Sequence, residues 1–98
     1  MAEVAFDSLV SGKPVAIVVD GVAVCLTRVG DEVFAVEDTC THSEASLSEG
    51  EVSGTKIECW LHGAEFDLRT GEALTPPATS ALKIFNVEVN GNQVVVTN

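Results

Sequence analysis

The 98-residue chain predicts an all-β domain of antiparallel hairpins, a β-sandwich or small barrel. Three observations predict it. Valine-rich runs recur between turn signals spaced at short intervals. No window sustains a helical period. The composition, 46% hydrophobic without a long polar or repetitive tract, suits one compact core and not a disordered chain.

Strands are expected near 3–6, 15–19, 22–28, 33–37, 56–59, 65–67, 83–89 and 93–97. "AFDSLVSG" holds at most one short helical turn. In "VAIVVDGVAVCLTRVGDEVFAVED", Asp20-Gly21 lies between two β-rich runs and suits a tight type I′ hairpin, and Val29–Glu32 supplies a second turn. Near the end, Asn90-Gly91-Asn92 separates two more strands. There Val87 and Val89 alternate with polar neighbours, as a half-buried strand requires. Gly50, Gly54 and Gly71 read as turn glycines.

The middle third changes character. From about residue 38 to 77 the chain is rich in Gly, Ser, Thr and Glu, with short strands between loops. The expected organisation is one domain, 1–98. A basal β scaffold of about 1–37 and 78–98 carries an inserted small subdomain of about 38–77.

Charge excludes some partners. Fifteen acidic residues against five basic give a formal net charge of −10. Phosphate would repel this surface, so neither nucleic acid nor an anionic membrane is an expected partner. A basic protein surface would attract it. No apolar run approaches the roughly 20 residues that cross a bilayer. "MAEVAFDSLVSGK" lacks the basic start and long apolar segment of a signal peptide, so the expected location is the cytoplasm. Thiols stay reduced there, and three cysteines is an odd number, so paired cysteines suggest a metal before a disulfide.

Cys40, His42, Cys59 and His62 form Cys-x-His, sixteen intervening residues, then Cys-x-x-His, all within that middle third. Thiolate suits zinc or iron, and so does imidazole. The four could close one tetrahedral zinc site. They could instead divide between two irons, thiolates on one and imidazoles on the other. Cys-x-His is tighter than the usual zinc spacing, and residues i and i+2 of an extended segment point apart. That favours ligands going to different irons. Cys25, inside the apolar run "VAVCL" with no histidine nearby, reads as core.

At these residues the chain resembles the Rieske family: "CTH" at 40–42 and "CWLHG" at 59–63 match its two cluster-binding boxes, and "LTPPA" at 74–78 fits the proline segment that follows. The resemblance implies the Rieske iron–sulfur protein-like fold, an antiparallel β-sandwich with an inserted cluster-binding subdomain. It also implies one [2Fe-2S] cluster. Cys40 and Cys59 would hold the inner iron, with His42 and His62 on the outer iron at an exposed tip. Read from their positions, Gly63 is a close backbone approach to a sulfide or a plain turn, Pro76 and Pro77 are a cover over one side of the cluster or a rigid connector, and Trp60 and Leu61 are an apolar contact patch beside the histidines or, for Trp60, local core. The respiratory branch has a disulfide between its boxes, and here Ala45 and Leu61 stand in those places. Where that branch has a hydroxyl donor after the glycine, this chain has Ala64, followed by Glu65 and Phe66, and it contains no tyrosine.

Missing donors and nearby acids both lower a cluster's potential. From Cys40 to Pro77 there are seven acids against Lys56 and Arg69. The expected potential is therefore at the low end of the Rieske range, roughly −150 mV. The resemblance is greatest to ferredoxins of bacterial aromatic-ring oxygenase systems. It implies a monomeric electron carrier, not an enzyme in its own right, working between a flavin-containing NAD(P)H ferredoxin reductase and a terminal Rieske oxygenase. Two other readings stay open: the small subunit of an assimilatory nitrite reductase, and a zinc-stabilised interaction module.

Overall fold

A computed structural model describes residues 1–39, 46–59, 64–74 and 81–97. Nine strands appear among them: β1 (Ala2–Ala5), β2 (Pro14–Val19), β3 (Val22–Val29), β4 (Glu32–Glu37), β5 (Glu51–Ser53), β6 (Lys56–Glu58), β7 (Glu65–Asp67), β8 (Asn86–Asn90) and β9 (Gln93–Thr97). The helical content of the described residues is two 3₁₀ turns, Phe6–Ser8 and Leu47–Glu49. All named pairings are antiparallel, and they make three three-stranded sheets: β1-β9-β8, β2-β3-β4 and β5-β6-β7.

Hairpin chemistry sets the registers. Val19 pairs with Val22 across Asp20 and Gly21, whose φ values of 50° and 80° are both left-handed. That is the type I′ geometry, whose twist matches the flanking strands.

The β2-β3-β4 sheet is the middle layer. Val24, Leu26 and Ala35 pack into one buried cluster with Leu9, Val19, Phe85, Val94 and Val96, beneath the β1-β9-β8 sheet. On the other face, Cys25 and Val36 join a second cluster with Leu47, Ile57, Cys59, Ala64, Phe66, Leu68 and Leu82. Successive strand residues point to opposite faces. A strand covered on both sides therefore needs apolar residues at both parities, and "VAVCL" is accordingly continuous and not alternating.

Three sequence expectations change in detail. The strand expected at 83–89 is shared between two sheets. Lys83 and Phe85 bond to β4, with Glu37 N–H donating to the Lys83 carbonyl at 2.9 Å and Phe85 N–H to the Ala35 carbonyl at 2.9 Å. The chain then turns into β8 and pairs with β9. Strand β5, set between Gly50 and Gly54 in a stretch that reads as loop, was not expected. Gly50 is a turn residue, its N–H donating to the Leu47 carbonyl at 2.9 Å, but not a left-handed one; its φ is −85°. Its small size is needed because a Cβ there would collide with the Glu58 carbonyl.

Gly71 meets both demands. Its φ is +76°, and a Cβ would run into the Leu82 carbonyl, which itself accepts no slack because Leu82 N–H donates to the Gly71 carbonyl at 2.7 Å. Gly54, at φ +60°, faces open space. Gly71→Ala is expected to cost about 2–3 kcal/mol of stability and Gly54→Ala about 1 kcal/mol, read from urea unfolding midpoints.

Candidate metal centre

Three stretches of the chain carry the residues singled out by the motifs, and each is closed at its base by backbone hydrogen bonds. Cys59 follows β6. Ile57 and Cys59 share a parity and point into the second buried cluster, while Lys56 and Glu58 point out. Cys59 N–H donates to the Ala64 carbonyl at 2.7 Å, extending the Glu58–Glu65 pair by one rung. Trp60, Leu61, His62 and Gly63, between those two anchors, lie outside the described residues.

Thr39 and Ser46 form an isolated antiparallel bridge, and Leu47 N–H donates to the Asp38 carbonyl at 2.6 Å. Cys40 and His42 fall in the six-residue interval between them and are likewise outside the described residues. The third stretch starts from Leu74, whose N–H donates to the Glu65 carbonyl at 2.8 Å, and ends before Leu82. Pro76 and Pro77 fall between, again outside. Leu47, Cys59, Ala64 and Leu82 belong to one buried cluster, so all three stretches are anchored around the same interior. Of the four expected ligands the structure thus describes one, Cys59: a buried, unbridged thiol.

Cys25 lies in that same interior on β3, as core. Burial pushes its thiol up from 9.0 to about 12; its contact with Thr27 Oγ1, at 3.7 Å, pulls the other way, and the Asp38 charge adds to the rise. A group so placed stays protonated at any ordinary pH and is a poor ligand or nucleophile.

Two features were missed from sequence. Asp38 is the buried carboxylate among the described residues, and it accepts from Ser48 N–H at 2.7 Å and Ser48 Oγ at 3.0 Å. An acid at the end of an apolar strand reads as a surface turn, so no local signal marked it. Glu51, Glu58 and Glu65 occupy one rung across β5-β6-β7. Strand β5 had to be known before Glu51 could be set beside the others. Like charges directly opposite are unfavourable, which makes the rung a fixed negative field one residue from Cys59.

Comparison with known proteins identifies the class. The Rieske [2Fe-2S] domain family matches residues 2–86. The chain belongs to that family, and one Rieske [2Fe-2S] cluster is its cofactor. It is 51% identical over 69 residues to ferredoxin CarAc of Metapseudomonas resinovorans, covering 70% of this chain and 64% of that one. It is 34% identical over 93 residues to the ferredoxin component of the naphthalene 1,2-dioxygenase system of Pseudomonas putida, covering 95% and 89%. Among solved structures, the ferredoxin of carbazole 1,9a-dioxygenase from Nocardioides aromaticivorans IC177 superposes with a TM-score of 0.94 at 36% identity, covering 96% and 92%. A chain from the complex of reduced oxygenase and oxidized ferredoxin in carbazole 1,9a-dioxygenase gives 0.90 at 40% identity, covering 95% and 96%. A chain described as an NADH-dependent nitrite reductase small subunit from Mycobacterium tuberculosis gives 0.86 at 25%, covering 97% and 93%.

The described residues fit the family's cofactor. The donors expected from the sequence are two sulfurs and two nitrogens, the set such a cluster takes. Cys59, the one expected donor among the described residues, has its backbone amide already satisfied, is free of a disulfide and is shielded from water.

The contrast between the cysteines is testable. As pH climbs from 9.0 toward 12 only the unfolded Cys25 thiol ionises, so this group subtracts from stability over that window and contributes nothing below it. In the native protein at about pH 9.5, Cys25 is expected to stay unmodified by iodoacetamide for hours. The same residue in urea should be modified within minutes, with peptide mass spectrometry as the readout.

Proposed function

We propose that this chain is the ferredoxin component of an aromatic-ring oxygenase system. It takes single electrons from a flavin-containing NAD(P)H ferredoxin reductase and delivers them to a terminal Rieske oxygenase, working as a cytoplasmic monomer. The observation that carries this reading is the near-full-length match, in sequence and in fold, to proteins that are themselves ferredoxin components. A terminal oxygenase as partner is supported by the likeness to the chain from a ferredoxin–oxygenase complex. The nitrite reductase alternative rests on 25% identity, against 34% to 51% for the ferredoxins, and all four boxed ligands are retained here.

Cys40 and Cys59 would hold the inner iron and His42 and His62 the outer one, within a cluster-binding subdomain of about 38–77 carried on a scaffold of about 1–37 and 78–98. Bound there, the cluster supplies a one-electron redox centre. The chain's own residues shape that chemistry. Cys59 keeps its sulfur in an apolar interior, and the Ala64 carbonyl holds the Cys59 amide so that the thiol keeps its direction. Ala64 is itself fully buried and offers no hydroxyl donor. The Glu51–Glu58–Glu65 rung adds negative charge nearby. Absent donors and added negative charge both disfavour the electron-rich state, which supports a low potential.

The deciding experiment is iron, zinc and sulfide analysis with EPR of the dithionite-reduced protein. Two irons and two sulfides with a rhombic signal of average g below the free-electron value are expected. One zinc without sulfide, in protein made with adequate iron, would support the zinc module instead. A second measurement tests the tuning. Ala64→Ser should raise the midpoint potential by some tens of millivolts, about 1 kcal/mol for a single neutral hydrogen bond. A midpoint unchanged or lowered, with the cluster intact, would remove Ala64 from that account.

A further inference from the structure

Asp38 is 5% exposed, and every polar group it has is engaged. Its N–H donates to the Ala23 carbonyl at 3.0 Å, and its carbonyl accepts from Leu47 N–H at 2.6 Å. Its Oδ1 accepts from Ser48 N–H at 2.7 Å, and its Oδ2 from Ser48 Oγ at 3.0 Å. A carboxylate is rarely buried without a specific partner, since removing it from water is costly. Among the described residues its side-chain partners are the backbone and hydroxyl of one serine, ten residues along the chain.

The position of this clamp is informative. Asp38 stands two residues before Cys40, and Ser48 lies in the 3₁₀ turn Leu47–Glu49, whose Leu47 is fully buried against the interior that contains Cys59. Between the two arms, Thr39 and Ser46 are bridged. Strand β4 therefore ends, and the turn begins, at one hydrogen-bonded knot that spans both ends of residues 40–45. The knot is tied to β3 through Ala23 and to the sulfur-bearing interior through Leu47.

We propose that Asp38 is a positioning residue for the first ligand pair: its carboxylate, through Ser48, holds the two ends of the Cys40–His42 segment at the separation the cluster requires. This rests on the reading of Cys40 and His42 as ligands given above. Outer groups that orient ligands typically change metal affinity by 10- to 100-fold when removed.

The test compares Asp38→Ala, Asp38→Asn and Ser48→Ala with Val96→Ala, a cavity variant in the other buried cluster that serves as a destabilised control. The readouts are iron release to a ferrous chelator, EPR line width of the reduced protein, and amide hydrogen exchange at Leu47 and Ser48. Asp38→Ala is expected to release iron about ten-fold faster than wild type, with broadened lines and faster exchange at both amides. Ser48→Ala should do the same to a lesser degree. Asp38→Asn keeps an acceptor for Ser48 N–H and a donor for its hydroxyl, and should stay within about two-fold of wild type. Val96→Ala should leave line width and both amides unchanged. If Asp38→Ala does not fold, Ser48→Ala and Asp38→Asn carry the comparison. Release rates and line widths for Asp38→Ala and Ser48→Ala that match Val96→Ala would overturn the proposal, as would Asp38→Asn proving as labile as Asp38→Ala. Wild-type protein that holds neither iron nor sulfide overturns the ligand reading and this inference together; a loaded wild type with unaffected variants overturns this inference alone.

Discussion

The packing of the β5-β6-β7 sheet against the far face of the middle sheet is the contact on which the rest depends. Its strands are three residues each, too short for independent stability. Ile57 and Phe66 are fully buried, and they share an interior with Cys25 and Val36 of the middle sheet and with Leu47 and Leu82. Each large apolar side chain so buried contributes about 1.5–3 kcal/mol relative to exposure. Against a net stability of about 5–15 kcal/mol for a typical domain, that contact decides whether Cys59 has a fixed place at all.

Placement of the site follows from that contact by backbone closure. The rung Glu58–Glu65 is extended by the Cys59–Ala64 hydrogen bond, the end of β4 by the Thr39–Ser46 bridge, and β7 by the Leu74–Glu65 hydrogen bond. In each case the chain leaves the frame from a residue whose position is set by pairing and returns to a residue similarly set. Glycine permits two of the close approaches that this requires: Gly50 passes against the Glu58 carbonyl and Gly71 against that of Leu82. A side chain at either point would push apart strands that hold the anchors in place.

Electrostatically the arrangement is lopsided. Of the five basic residues, Arg69 pairs with Glu32 at 2.9 Å, and Arg28 donates to the Leu9 and Gly30 carbonyls while lying over the Phe6 ring. Both cations are engaged within the scaffold, and with all five basic residues counted the formal net charge is still −10. Three of the acids sit on one rung beside Cys59, Glu51 and Glu58 exposed and Glu65 half-buried. The result is a surface that would attract a basic protein face and repel an acidic one.

Local chemistry was legible before any coordinates. The two boxes at 40–42 and 59–63 pointed to the family that the comparison then showed, because residue type and short-range spacing are properties of the chain itself. Asp20-Gly21 announced its hairpin, since left-handed φ values at adjacent residues have few solutions, and Cys25 read as core from its apolar neighbours. What tertiary structure alone decided was which residues meet. It divided 83–89 between two sheets, made the middle sheet apolar on both faces, set Glu51 beside Glu58 and Glu65, and buried Asp38 against Ser48. Those outcomes depend on pairings between segments far apart along the chain, and no local pattern of residue types encodes such a register.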